Sequence, residues 1–236
     1  MAQPLLNEAV TSGWRVLAFD LPYHGRTMPP EGWWESEYLL TTDEYAETVM
    51  DFIRTLGLHR PVVLGCSMGG SIVLALARRY PGELGAVIGL SGASKISGRF
   101  ANWSIKPDVN GASAVAEWTY GLMAPQSPEH SKRGVWWIYS QDGPGIYRGD
   151  TYFNSVDWDQ RGREEEIDTS RCPVYLLTGE YDYACSLDES GRTAEAIPGT
   201  RFTEMEGIGH FPMTETYYLF RDYLLPVLEE LARTET

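Results

Sequence analysis

Three residues far apart in the chain are of types that together could carry acyl-transfer chemistry. Ser67 lies in Gly65-Cys66-Ser67-Met68-Gly69-Gly70, which contains the pattern G-x-S-x-G. A serine hydroxyl is a poor nucleophile at neutral pH and needs a base within hydrogen-bond reach. Of the four histidines, His210 stands in a glycine loop, Gly207-Ile208-Gly209-His210-Phe211-Pro212, between an expected last strand and last helix. A base of this kind needs an acid to fix its tautomer. Asp182, in Thr178-Gly179-Glu180-Tyr181-Asp182-Tyr183, follows an expected strand directly, and Glu180 and Asp188 are the alternatives. Cys66 is a second nucleophile by type. The turn should point it away from Ser67 toward the packed side, as a small core residue. His24 sits in a Pro/Gly-rich loop and reads as turn-stabilising. His59 precedes a strand at the opposite edge, and His130 has no partner signal.

The elements that must position these residues alternate between strand and helix. Leu5, Leu6, Ala9 and Val10 predict a short amphipathic helix ending near Gly13. Residues 14–21 (WRVLAFDL) form a short apolar run, expected as a buried parallel strand. Residues 22–32 are loop. Thr41 with Glu44 reads as a capping box, and Tyr45, Val49, Phe52, Ile53 and Leu56 then keep helical spacing up to Gly57. Residues 61–67 predict a strand, 68–80 a helix and 85–91 a strand. After a break over about 92–170, residues 174–179 predict a strand, 187–197 a helix and 201–205 a strand. Residues 214–232 predict a last helix, kinked or restarted by Pro226. This alternation implies an α/β fold with a mostly parallel sheet flanked by helices. The strand-to-helix turn at Ser67 would lift its hydroxyl above the sheet edge, at the positive end of a helix dipole. The Met68 N–H would then face an oxyanion.

The interruption holds five of the eight tryptophans, Trp103, Trp118, Trp136, Trp137 and Trp158. It reads as an insert that divides the chain into a first core part (1–92), a cap (93–170) and a second core part (171–236). Its aromatic content suits either a bulky apolar or aromatic substrate group or simple packing.

Composition bounds the function. The chain has 236 residues, 43% hydrophobic and 22% charged, and a domain of that length buries roughly 70% of its unfolded surface. Nineteen basic against thirty-three acidic side chains give a net charge of −14, which argues against nucleic-acid and anionic-membrane partners. No apolar run is long enough for a membrane-spanning helix, and the N-terminus has no signal-peptide pattern. Three cysteines, Cys66, Cys172 and Cys185, without metal-ligand spacing suit a reduced cytoplasmic protein. No metal site or nucleotide loop is present, so no cofactor is expected.

The segments D-L-P-Y-H-G-R-T at 20–27, G-C-S-M-G-G at 65–70, G-E-Y-D at 179–182 and G-I-G-H-F-P at 207–212 together resemble the α/β-hydrolase superfamily, over nearly the whole chain. The order Ser67, Asp182, His210 is that family's order of nucleophile, acid and base. The resemblance implies a Ser-His-Asp hydrolase acting on a small-molecule ester, lactone or related acyl substrate. Alternatives are a C–C bond hydrolase of a ring-cleavage product, a non-catalytic small-ligand receptor and an inert shortened form. The chain departs from the family at its start. The first three strands, and a glycine turn that supplies a second oxyanion N–H, have no counterpart here. The third of those strands would lie between 14–21 and 61–67. Its absence should either leave backbone unpaired or force those two segments to pair directly.

Overall fold

The computed structural model describes residues 7–96 and 100–234. Its sheet has four strands, β1 (Val62–Cys66), β2 (Ala86–Leu90), β3 (Val174–Gly179) and β4 (Arg201–Met205), all parallel and in the order β1-β2-β3-β4. The two inner strands are buried along their whole length, as a parallel sheet covered on both faces requires. The helices are α1 (Glu8–Thr11), α2 (Thr42–Thr55), α3 (Met68–Arg79), α4 (Gly111–Tyr120), α5 (Glu129–Tyr139), α6 (Ile146–Tyr152), α7 (Leu187–Ala196), α8 (Pro212–Glu215) and α9 (Tyr217–Thr234).

Alternation along the strands builds two cores. Val87, Val174 and Leu176 face Met50 and Ile53 of α2 and Ile72, Val73 and Leu76 of α3. Ala86, Ile88, Leu90, Tyr175 and Leu177 face Val10 of α1 and Phe220, Leu224 and Leu228 of α9. Each fully buried leucine or isoleucine here contributes about 1.5–3 kcal/mol relative to exposure. The Thr41–Glu44 capping box forms, and α7 opens on another at Ser186 and Glu189.

Two expectations need correction. Residues 14–21 are not a strand, and Leu17 and Phe19 are exposed at 39% and 38%. Their side chains still alternate. Trp14 and Val16 pack on the α9 face, Leu21 joins the α2–α3 face, and Phe19 stacks on Phe52 with ring centroids 4.3 Å apart. A strand exists only through the backbone that pairs with it, and the neighbouring β1 does not. Of the two outcomes expected at this gap, the structure takes unpaired backbone, and β1 is an outer strand. The last helix breaks at Thr216, between α8 and α9, whereas Pro226 lies inside α9. Among the described residues the first helix spans Glu8–Thr11, capped by Asn7, and ends before Gly13 as expected; Leu5 and Leu6 lie outside the described residues.

Between β2 and β3 the described residues contain no strand, only α4, α5, α6 and short 3-10 and π turns. This segment rests on loops at the carboxyl ends of the strands. His210 N–H donates to the Leu122 carbonyl, and Leu122, Met123 and Val135 pack on Phe211. Trp158 is a core residue, fully buried on the α2–α3 face, whereas Trp137 is 62% exposed.

Candidate functional site

Ser67 joins β1 to α3 with φ 57° and ψ −112°, a backbone state that L residues rarely adopt. Two neighbouring glycines make the turn possible. A β-carbon at Gly65 would meet the Gly69 carbonyl oxygen at 2.3 Å, and one at Gly70 would meet the Leu90 carbonyl oxygen at 2.2 Å. Gly69 has room of its own, because a β-carbon there would touch only the Tyr45 hydroxyl, at 3.5 Å. The demand for small residues thus falls on 65 and 70, with Gly69 supplying the backbone that Gly65 approaches. Ser67 N–H is anchored on the Leu90 carbonyl at 2.9 Å, and its side chain is partly exposed. Met68 is the first residue of α3, so its N–H has no intrahelical acceptor.

His210 and Asp182 are both 4% exposed, and His210 Nδ1 lies 2.8 Å from Asp182 Oδ2. The other carboxylate oxygen accepts the N–H groups of Ala184 and Cys185 at 2.9 and 3.0 Å. Burial alone would raise the Asp182 carboxyl. The imidazole beside it and the Cys185 N–H outweigh burial and hold it below the usual range. Burial likewise opposes a charge on His210, but Asp182, with a further contribution from Glu215, raises it above the usual value. The two alternative acids go elsewhere. Glu180 accepts the Gly207 N–H at 2.9 Å, and Asp188 pairs with Arg192 at the surface. The Cys66 thiol donates to the His210 carbonyl at 3.3 Å, and its side chain packs on the α9 core. Burial pushes its pKa well up, so it is no thiolate nucleophile.

His24 does more than brace its turn. Its Nδ1 meets the Pro22 carbonyl at 2.9 Å, while Nε2 meets Asp150 of α6 at 3.0 Å. Tyr38 OH donates to the same carboxylate at 2.8 Å. His59 and His130 are exposed. Among the described residues, no three His, Cys, Asp or Glu side chains form a group able to hold a metal ion. Glu215 escaped the sequence reading altogether. It is fully buried beside His210, and its only sequence signal is a carboxylate five residues after that histidine.

A cavity of about 460 Å³ opens in the segment between β2 and β3, lined by Ala101, Trp103, Ala114, Glu117, Trp118 and Tyr147. Trp118 also packs on Tyr183, one residue beyond Asp182.

Comparison with known proteins agrees with this architecture. A putative non-heme haloperoxidase of Mycobacterium phage D29 is 29% identical over 93 residues, 39% of this chain and 31% of that protein. The chain spans only 29 to 65% of the length of the curated relatives it matches. A thermophilic esterase from Thermogutta terrifontis superposes with a TM-score of 0.74 at 19% identity, over 91% of this chain and 78% of that one. The enol-lactonase from Burkholderia xenovorans LB400 gives 0.73 at 19% identity, over 89% and 77%. At such identity the likeness is one of fold. The model of the alpha/beta hydrolase fold matches residues 2–216, and with the parallel sheet and the strained turn at Ser67 this shows that the chain belongs to the α/β-hydrolase family.

Proposed function

We propose that the protein is a serine hydrolase that cleaves a carboxylic ester, lactone or related acyl bond, with Ser67 as nucleophile, His210 as base and Asp182 as orienting acid. The observation that carries this is the buried His210–Asp182 pair at the same sheet edge as a serine held in a strained strand-to-helix turn. His210 Nε2 takes the Ser67 proton as Oγ attacks the carbonyl carbon, and the oxyanion rests against the Met68 N–H. The tetrahedral intermediate collapses, and His210 returns the proton to the leaving oxygen. Water then repeats the sequence on the acyl-enzyme, freeing the acid and Ser67. Asp182 keeps the Nδ1–H tautomer, which leaves Nε2 free to accept.

Residues 93–170 act as a cap in this scheme, and the aromatic cavity suits a bulky apolar or aromatic group on the acyl or alcohol side. All three cysteines are free thiols, which favours a reducing, cytoplasmic setting. The test is hydrolysis of p-nitrophenyl butyrate by Ser67→Ala. Turnover should fall to background while the circular dichroism spectrum stays that of the parent. Undiminished turnover in the purified variant would remove Ser67 from the mechanism.

A further inference from the structure

Glu215 is a carboxylate with 0% exposure, and among the described residues no lysine or arginine lies within ion-pair distance. Burying such a group is expensive unless hydrogen bonds satisfy it. Here three donors do so, and they come from the two segments that enclose His210. Phe211 N–H, the amide next to His210, donates to Oε1 at 2.9 Å. Ala124 N–H and Ser127 Oγ, from the segment between β2 and β3, donate to Oε2 at 2.8 and 2.7 Å.

The loop that carries His210 is squeezed between these segments and β3. A β-carbon on Gly209 would lie 2.6 Å from Ala124 N and 2.7 Å from the Leu122 carbonyl oxygen. One on Gly179 would lie 2.4 Å from the Gly209 carbonyl oxygen. His210 N–H is itself bonded to the Leu122 carbonyl at 3.1 Å. The backbone of the base is therefore wedged on both sides; Glu215 bonds both the loop and the segment over it, and Gln126 of that segment donates to the Gly207 carbonyl at 3.1 Å.

We propose that Glu215 is a positioning residue, whose carboxylate pins the His210 loop to residues 124–127 and so fixes where the imidazole stands over Ser67. The proposal rests on the assignment of Ser67 and His210 as nucleophile and base. It makes the segment between β2 and β3 part of what holds the base as well as what covers the site. The charged groups that act on the imidazole are Asp182 and Glu215, while the Cys66 thiol bonds only the His210 carbonyl. The charge of Glu215 therefore also adds to that of Asp182 in favouring protonated His210.

The experiment compares the parent protein with Glu215→Gln, Ser127→Ala and Ser67→Ala. It measures kcat and KM for p-nitrophenyl butyrate and the low-field proton resonance of the His210 Nδ1–H. Glutamine keeps the shape but turns an NH₂ toward donors that need an acceptor. Misplacement of the base should lower kcat on the order of 10²-fold. KM should stay within about threefold, because substrate contacts are untouched. The Nδ1–H resonance should shift or broaden. Parent-like kcat and resonance in Glu215→Gln would overturn the proposal. If that variant does not fold, Ser127→Ala decides alone: it removes one donor and should lower kcat several-fold at constant KM, and parent-like kinetics would overturn the proposal. Parent-like turnover in Ser67→Ala would refute the nucleophile instead, and the resonance would still report on Glu215.

Discussion

At the scale of single residues, the proposed base and acid, His210 and Asp182, form a buried pair 2.8 Å apart. An amide at 182 cannot hold the Nδ1–H tautomer, so Asp182→Asn should lower kcat by about 10⁴-fold. It also removes the charge that raises His210, so the acid limb of the kcat/KM profile should move to lower pH. Glu180→Gln alters only a bond to the Gly207 N–H and should leave both rate and limb close to the parent's. Steady-state kinetics across pH on the two variants checks this. An Asp182→Asn limb at or above the parent's position would show that another group sets the base.

At the scale of elements, the loop after residues 14–21 is tied to α6 through His24, Asp150 and Tyr38. Burial opposes the His24 charge, but the hydrogen bond and charge of Asp150 outweigh it and push the imidazole up to about 9. A histidine raised in the folded state binds its proton more tightly there than when unfolded. Its contribution to stability is complete below about 6.5 and is lost as pH rises to about 9. Asp142, pushed up to about 6 by burial and by Asp150, has largely titrated below that window. His24→Gln should therefore lower the thermal midpoint at pH 7, where Asp142 is mostly ionised and His24 still mostly protonated, and much less at pH 9.5. His210 contributes the same slope to both proteins and cancels in the difference. A midpoint difference that did not change with pH would show that the ion pair adds nothing to stability.

At the scale of the whole molecule, two effects oppose each other. Among the described residues nothing pairs with the outer edge of β1, and Leu64 on it is 40% exposed, which invites pairing with another chain. The net charge of −14 keeps copies apart, but only over a Debye length that shrinks from about 30 Å at 0.01 M salt to about 8 Å at 0.15 M. Self-association should therefore increase with salt. Leu64→Lys should reduce it at every ionic strength without lowering the thermal midpoint. Light scattering over a salt series reads both trends, and equal association of parent and variant would place the contact elsewhere.

Much of this was legible in the sequence because it is local. Gly65 at the elbow, the Thr41–Glu44 box, the strand and helix periods and the glycine loop at His210 each follow from residues within a few positions of one another, whereas the demand for glycine at 70 rather than 69 comes from Leu90 on the next strand. Matching β3 and β4 to their residues needed only an apolar run and its flanking turns. What the sequence could not decide depends on partners distant in the chain. Residues 14–21 carry a strand's pattern and a strand's alternation, yet they form no ladder, because a strand needs neighbouring backbone that no pattern within it can supply. Asp182 stood out from Glu180 and Asp188 only by its place after a strand; the tertiary structure separates them by which one meets His210. Glu215 had no motif at all, because its meaning lies in three donors, two of them about ninety positions away, which only packing brings to one carboxylate.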